Sequence, residues 1–108
     1  MTLRMSIPIQ ISLVRQGRYQ GQLSFSPSTA YAQPGDTIEW TAPGPFTVHF
    51  PDASPVGKAF LQSDERNLIV SPPVSEGARG KFKYSAAVNI DGRPYVGHSD
   101  SVIIEDPW

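Results

Sequence analysis

The chain contains no cysteine. That removes disulfides, thiolate metal ligands and thiol nucleophiles together. Small secreted domains often depend on disulfides, so this chain must hold together by packing alone. Histidine is scarce: His49 and His98 are the only two, which leaves little material for a metal centre or for acid–base catalysis. Neither sign of charge dominates, with nine Lys and Arg against ten Asp and Glu and a net charge of −1. Such a balance gives no bulk attraction to nucleic acid or to an anionic membrane surface. No apolar run approaches the roughly 20 residues of a membrane-spanning helix. The stretch from Met1 to Gln10 alternates and lacks the continuous apolar core of a secretory signal. A cytoplasmic location is therefore expected, or a periplasmic one if a leader has been removed.

Turn-forming residues are plentiful. Eleven prolines and nine glycines are spread between short apolar runs, which reads as turn chemistry rather than disorder. The length of 108 residues fits a single domain over 1–108 with one layered core.

The runs themselves have period 2, the mark of half-buried strands. Ile7, Ile9, Ile11 and Leu13 share one parity, and Pro8 places this strand at a sheet edge. Arg15 to Arg18 reads as a turn, and Tyr19, Leu23 and Phe25 continue the alternation, with Gly21 a candidate bulge. Pro34-Gly35-Asp36 is a tight turn before a strand that faces Ile38 and Trp40 inward. Pro43-Gly44-Pro45 precedes Phe46, Val48 and Phe50 on another inward face. Pro51 to Glu65 is less periodic and reads as a loop, with a short helical turn near Lys58 to Gln62. Leu68 and Val70 suggest a strand stopped by Pro72-Pro73. One long strand carries Phe82, Tyr84, Ala86 and Val88 inward and Lys81, Lys83, Ser85 and Asn89 outward; Asp91-Gly92 is a hairpin turn after it, and Val102 to Ile104 is the last strand. Seven or eight short strands without an amphipathic helix predict an all-β, antiparallel Greek-key β-sandwich, immunoglobulin-like in outline.

Two segments carry a resemblance. The first runs from Phe25-Ser26-Pro27 through the Pro-Gly-Asp turn and Trp40 to Phe50. The second is Gly80-Lys81-Phe82-Lys83-Tyr84-Ser85-Ala86, which looks like a Gly-x-Tyr-x-x-x-Cys strand. Together they resemble the cupredoxins of the plastocyanin and pseudoazurin type, and the likeness implies a cupredoxin-like sandwich. The blue-copper site of that family needs two imidazoles, a thiolate and usually an axial thioether. Carried over, the first histidine falls on Phe46, the cysteine on Ala86, the second histidine on Asn89 and the methionine near Pro94. None can serve, so the resemblance implies a metal-free relative with no cofactor. Tyr84-Ser85-Ala86-Ala87-Val88 also resembles the Tyr-Ser-x-Ala-Val strand of metal-free bacterial relatives, a likeness that assigns no activity.

The remaining chemistry is thin. His49 and His98 offer an alternative metal site, but without local ligand spacing two unrelated surface histidines explain them better. His98-Ser99-Asp100 cannot form a triad, because neighbours on an extended chain point to opposite sides. Asp64-Glu65 and Glu105-Asp106 read as solvated pairs. Arg79, Lys81 and Lys83, with Arg93, form the one basic cluster, and a solvated strand face accounts for it. Tyr95 and Trp108, with the stiff loops Ala42 to Pro45 and Pro51 to Gly57, are candidates for partner contact. No catalytic constellation is present, so an enzyme is not expected. The expected function is a binding or assembly module that meets a protein partner or a second copy at its loop end or an open edge, with Ile7 to Val14 as that edge. Neither nucleic acid nor membrane is expected as a partner.

Overall fold

The computed structural model describes residues 5–14, 21–98 and 101–105. Within them the regular structure is entirely β. In chain order the strands are β1 (Ser6–Val14), β2 (Gln22–Ser26), β3 (Thr29–Ala32), β4 (Thr37–Thr41), β5 (Phe46–His49), β6 (Phe60–Gln62), β7 (Leu68–Val70), β8 (Gly80–Phe82), β9 (Ser85–Ile90), β10 (Arg93–His98) and β11 (Ser101–Ile104). They form a four-stranded sheet β2-β1-β4-β7, a second four-stranded sheet β10-β9-β5-β6, and a three-stranded sheet β3-β11-β8. One apolar core joins residues from all three.

The period-2 pattern places its residues as expected. Ile9, Ile11, Ile38, Trp40, Phe46, Val48, Phe50, Tyr84, Ala86 and Val88 are all buried. On β7 the parity is the reverse of the expectation: Ile69 is buried and Val70 exposed. Four aromatic rings gather at the centre. Tyr84 meets Trp40 and Phe25 edge-on at 5.5 and 5.8 Å between centroids, and Phe50 at a tilt at 5.7 Å. Phe82, by contrast, is half-buried.

Several expectations need correction. The fold is not purely antiparallel, because β1 runs parallel to β4 and β3 parallel to β11. Alternation along one strand reports which face is buried and carries no information about a neighbour's direction. The described residues hold eleven strands, more than the seven or eight expected, because the run from Gly80 to Val88 is cut in two and β6 and β10 form where no strand was expected. The segment from Gly80 to Val88 leaves the three-stranded sheet after Phe82 and joins the second sheet at Ser85. Its alternation continues unbroken across the change. Around Lys58 to Gln62 a strand, β6, replaces the expected helical turn.

Nor is β1 an edge strand; it lies between β2 and β4. Its two halves are shared out. Ser6 to Gln10 pair with β4, and Gln10 to Val14 pair with β2. The Met5 carbonyl accepts the Thr37 N–H, so odd positions in the first half face β4 and Pro8 presents its nitrogen to the other side. β2 has not yet begun there, so Pro8 costs no ladder bond. The turn Arg15 to Arg18 and Tyr19 lie outside the described residues. Gly21 precedes β2, and the β1–β2 register runs without a bulge.

Turn chemistry fixes the connections. Asp91 and Gly92 hold φ of 52° and 81° between β9 and β10, the left-handed pair a two-residue type I′ hairpin requires. The Pro34-Gly35-Asp36 turn does more. The buried Asp36 carboxylate accepts the Gln33 N–H at 2.9 Å and the Met5 N–H at 3.0 Å. Its backbone carbonyl accepts the Val74 N–H at 2.8 Å. One residue thus ties the start of β1, the β3–β4 turn and the segment after β7. Replacing Asp36 with alanine strands two part-buried amide donors, each costing less than the roughly 1–3 kcal/mol of a fully buried unmet group. Asp36→Ala should lower the urea midpoint with an unchanged m-value, and Asp36→Asn should lose less, since an amide keeps one acceptor oxygen.

Candidate functional site

Three of the four positions that the resemblance assigns to copper ligands come together. Phe46 opens β5 opposite Val88, and Asn89 on β9 faces Pro94 on β10. Phe46, Asn89 and Pro94 line one open hollow of about 290 Å³, with Gln62 and Ser63 on its border. Among the described residues, no side chain that titrates near neutral pH lines it. The Phe46 ring is buried there, and the Ser63 hydroxyl accepts the Phe46 N–H at 2.9 Å. Ala86 is buried opposite Val48 and does not line the hollow. Just above, the 43–45 turn presses on β9. The Asn89 N–H donates to the Pro45 carbonyl at 2.8 Å, and a Cβ on Gly44 would stand 1.9 Å from the Asn89 carbonyl oxygen. Only glycine permits that approach.

His49 and His98 fall on one lateral row of the second sheet. Phe60 pairs with His49, His49 with Ser85, and Ser85 with His98. Their backbones are therefore two strand spacings apart, about 10 Å. The half-buried His49 ring lies flat on Phe60, 4.2 Å between centroids and 10° between planes. That stacking turns the imidazole toward β6 and away from Ser85. The side chain of His98 is outside the described residues. Among the described residues no group of three or more His, Cys, Asp and Glu is placed to hold a metal ion.

Tyr95 stands opposite Val88 and packs half-buried against the core, in one row with Phe46. Trp108, Ser99, Asp100 and Asp106 lie outside the described residues. Arg79, Lys81 and Lys83 gather around a hollow of about 290 Å³ with Asp52 on its wall. Arg79 braces its own loop, donating to the Glu76 and Ala78 carbonyls at 3.0 and 2.6 Å. Arg93 opens β10, in a different sheet, and does not line that hollow.

A further site is absent from the sequence reading. β6 and β7 are outer strands of different sheets, and an open groove of about 750 Å³ runs along both. The buried Leu61 and Ile69 form its floor. Phe60 and Val70 stand beside it with 66% and 55% of their surfaces exposed. The turn at 63–67 closes one end. There Asp64 accepts the Arg66 N–H at 2.8 Å, the Arg66 Nη2 at 2.8 Å and the Leu68 N–H at 3.3 Å. Phe60 falls in the aperiodic stretch after Pro51, where the apolar trio Ala59-Phe60-Leu61 between Lys58 and Gln62 is too short to set a period.

The Arg66 guanidinium beside Asp64 holds its carboxyl below the ordinary value of 3.8, and the Arg66 and Leu68 backbone N–H groups add to the effect. Compared with known proteins, the chain matches no family model and no curated protein.

Because the Asp64 carboxyl titrates lower in the folded chain, its support of the turn is complete above pH 3.8 and is lost as pH falls through its folded midpoint. A carbon-detected NMR titration should give an Asp64 midpoint below 3.8. Arg66→Ala should return that midpoint toward the ordinary value.

Proposed function

We propose that this chain is a non-catalytic binding or assembly module: a cupredoxin-like β-sandwich without a copper centre that meets a protein partner along the groove between β6 and β7. The observation that carries this reading is the contrast between two hollows. Where the resemblance would put a copper ion, a buried phenylalanine and a proline stand instead of imidazole and thioether. Where two sheet edges end side by side, Phe60 and Val70 hold large apolar surfaces out to solvent. Apolar side chains grouped at open strand edges fit a contact surface better than a scattered surface composition does.

The sandwich assignment draws on the shared core, in which Trp40 of the first sheet and Phe50, just beyond β5 of the second, both contact Tyr84. Metal binding at His49 and His98 is the weaker reading, because the His49 ring is already engaged with Phe60.

Photo-crosslinking in the source cells tests the reading. With p-benzoylphenylalanine at position 70, beside the groove, irradiation should give a discrete adduct with another protein or with a second copy. The same group at position 14, also exposed but on β1, should give none. No adduct at 70, or equal adducts at both, removes the contact surface. Calorimetric titration of copper(II) and zinc should give the same weak uptake in wild type and His49→Ala. Stoichiometric uptake that depends on His49 would replace this reading with the metal-binding one.

A further inference from the structure

We infer that the groove receives an extended peptide segment as an added strand on β6, a segment with apolar residues at alternate positions and an acidic residue beside Lys58. This rests on the proposed contact surface and specifies what occupies it.

The backbone of β6 supplies the argument. The Phe50 N–H donates to the Ala59 carbonyl and the Ser63 N–H to the Phe46 carbonyl, each at 2.9 Å. Positions 59, 61 and 63 therefore turn their polar groups toward β5. Those of Phe60 and Gln62 point the opposite way, toward the groove, because successive residues of a strand alternate in bonding direction. Neither has a backbone hydrogen-bond partner among the described residues. Two N–H and two C=O groups are thus presented at the two-residue repeat of a strand, the arrangement that strand addition uses.

The facing edge is closed. On β7 the Ser71 N–H donates to the Ile38 carbonyl and the Asn67 carbonyl accepts the Ala42 N–H, so Leu68 and Val70 face outward. Asp64 takes both groups of Leu68: its carboxylate accepts the Leu68 N–H, and its own N–H donates to the Leu68 carbonyl. Val70 alone is left, and Pro72 has no donor. Edge strands are commonly guarded by proline, lysine or a bulge. The edge of β7 is closed by Asp64, which engages both backbone groups of Leu68, and by Pro72 two residues past its end; the outward groups of Phe60 and Gln62 have no such cover among the described residues, and the pairing of β6 with β5 runs without a bulge.

Side chains set the preference. In the added strand one parity would lie over Leu61 and Ile69. The other would extend the row Phe60–His49 on the outer face, where cross-strand aromatic and β-branched neighbours are favourable. Of the two cations lining the groove, Arg66 is paired with Asp64 at 2.8 Å. Lys58 is exposed at the other end without an ion pair among the described residues, and an acidic residue complements it.

A random linear octapeptide library displayed on phage, panned on the full chain, supplies the probe. Selected peptides should alternate in hydrophobicity and carry Asp or Glu. Bound to wild type, they should slow amide hydrogen exchange at Phe60 and Gln62 by tenfold or more. Gln62→Pro removes an outward N–H without touching the β5 ladder and should weaken binding at least tenfold; Gln62→Thr should bind as wild type does. Lys58→Glu should weaken the acidic peptides selectively. Peptides that bind Gln62→Pro undiminished, protection confined to other amides, or an empty selection each overturn the inference. Should Gln62→Pro fail to fold, the exchange pattern on wild type decides by itself. A photo-adduct at position 70 alongside any of these failures leaves the contact surface standing and removes only the added strand; loss of the adduct as well removes both.

Discussion

The contact of Tyr84 with Trp40 and Phe50 is the constraint on which the rest of the molecule turns. Trp40 belongs to β4 in the first sheet, Phe50 follows β5 in the second, and Tyr84 sits where the chain passes from β8 to β9. Strands switch sheets at bends, and at this bend a buried ring packs against other rings. Phe25 on β2 completes the group from the far side. The rings bring large apolar area, and the edge-on pairs Trp40–Tyr84, Phe25–Tyr84 and Trp40–Phe50 each add about 0.5–1.5 kcal/mol beyond burial. One polar atom goes against this: Trp40 Nε1 is buried without a hydrogen-bond partner among the described residues. The surrounding packing outweighs that loss, as it must when a polar atom is taken fully from water.

With the centre fixed, the margins follow from backbone chemistry. Pro72 and Pro73 cannot donate, so β7 stops early, and Ser71 turns its hydroxyl inward to accept the Ile38 N–H at 2.9 Å. The 51–58 segment returns the chain to β5 for three paired residues before the 63–67 turn takes it to β4. Two short strands end up as neighbours without sharing a ladder. The groove between them is a direct result of that topology.

Much of this architecture is legible in the residues. Ile38 and Trp40, or Phe46, Val48 and Phe50, can satisfy alternation only with one face in a core. Asp91-Gly92 specifies its own turn because few other dipeptides tolerate positive φ twice. The lack of a thiolate is equally plain, since no fold can supply a missing sulfur. What stays hidden is relational. The parity of Ile7 to Leu13 is the same whether β4 lies parallel or antiparallel, and Tyr84 keeps perfect phase while the chain exchanges one sheet for another. β6 spans three residues, too few to establish a period. The groove is hidden for a deeper reason: it belongs to no segment, being formed from the unpaired sides of two strands that topology alone brings together.

The place of β11 has a consequence for how the protein is made. It is the middle strand of its sheet, pairing with β3 on one side and β8 on the other, so neither flank has any sheet partner until Ser101 to Ile104 arrive. A ribosome delivers Thr29 to Ala32 long before that. During synthesis, β3 must wait with its backbone open to water or to passing chaperones, while β1, β2, β4 and β7 can already assemble. Emergence of Ser101 to Ile104, rather than collapse of the first hydrophobic strands, is then the event that completes this sheet.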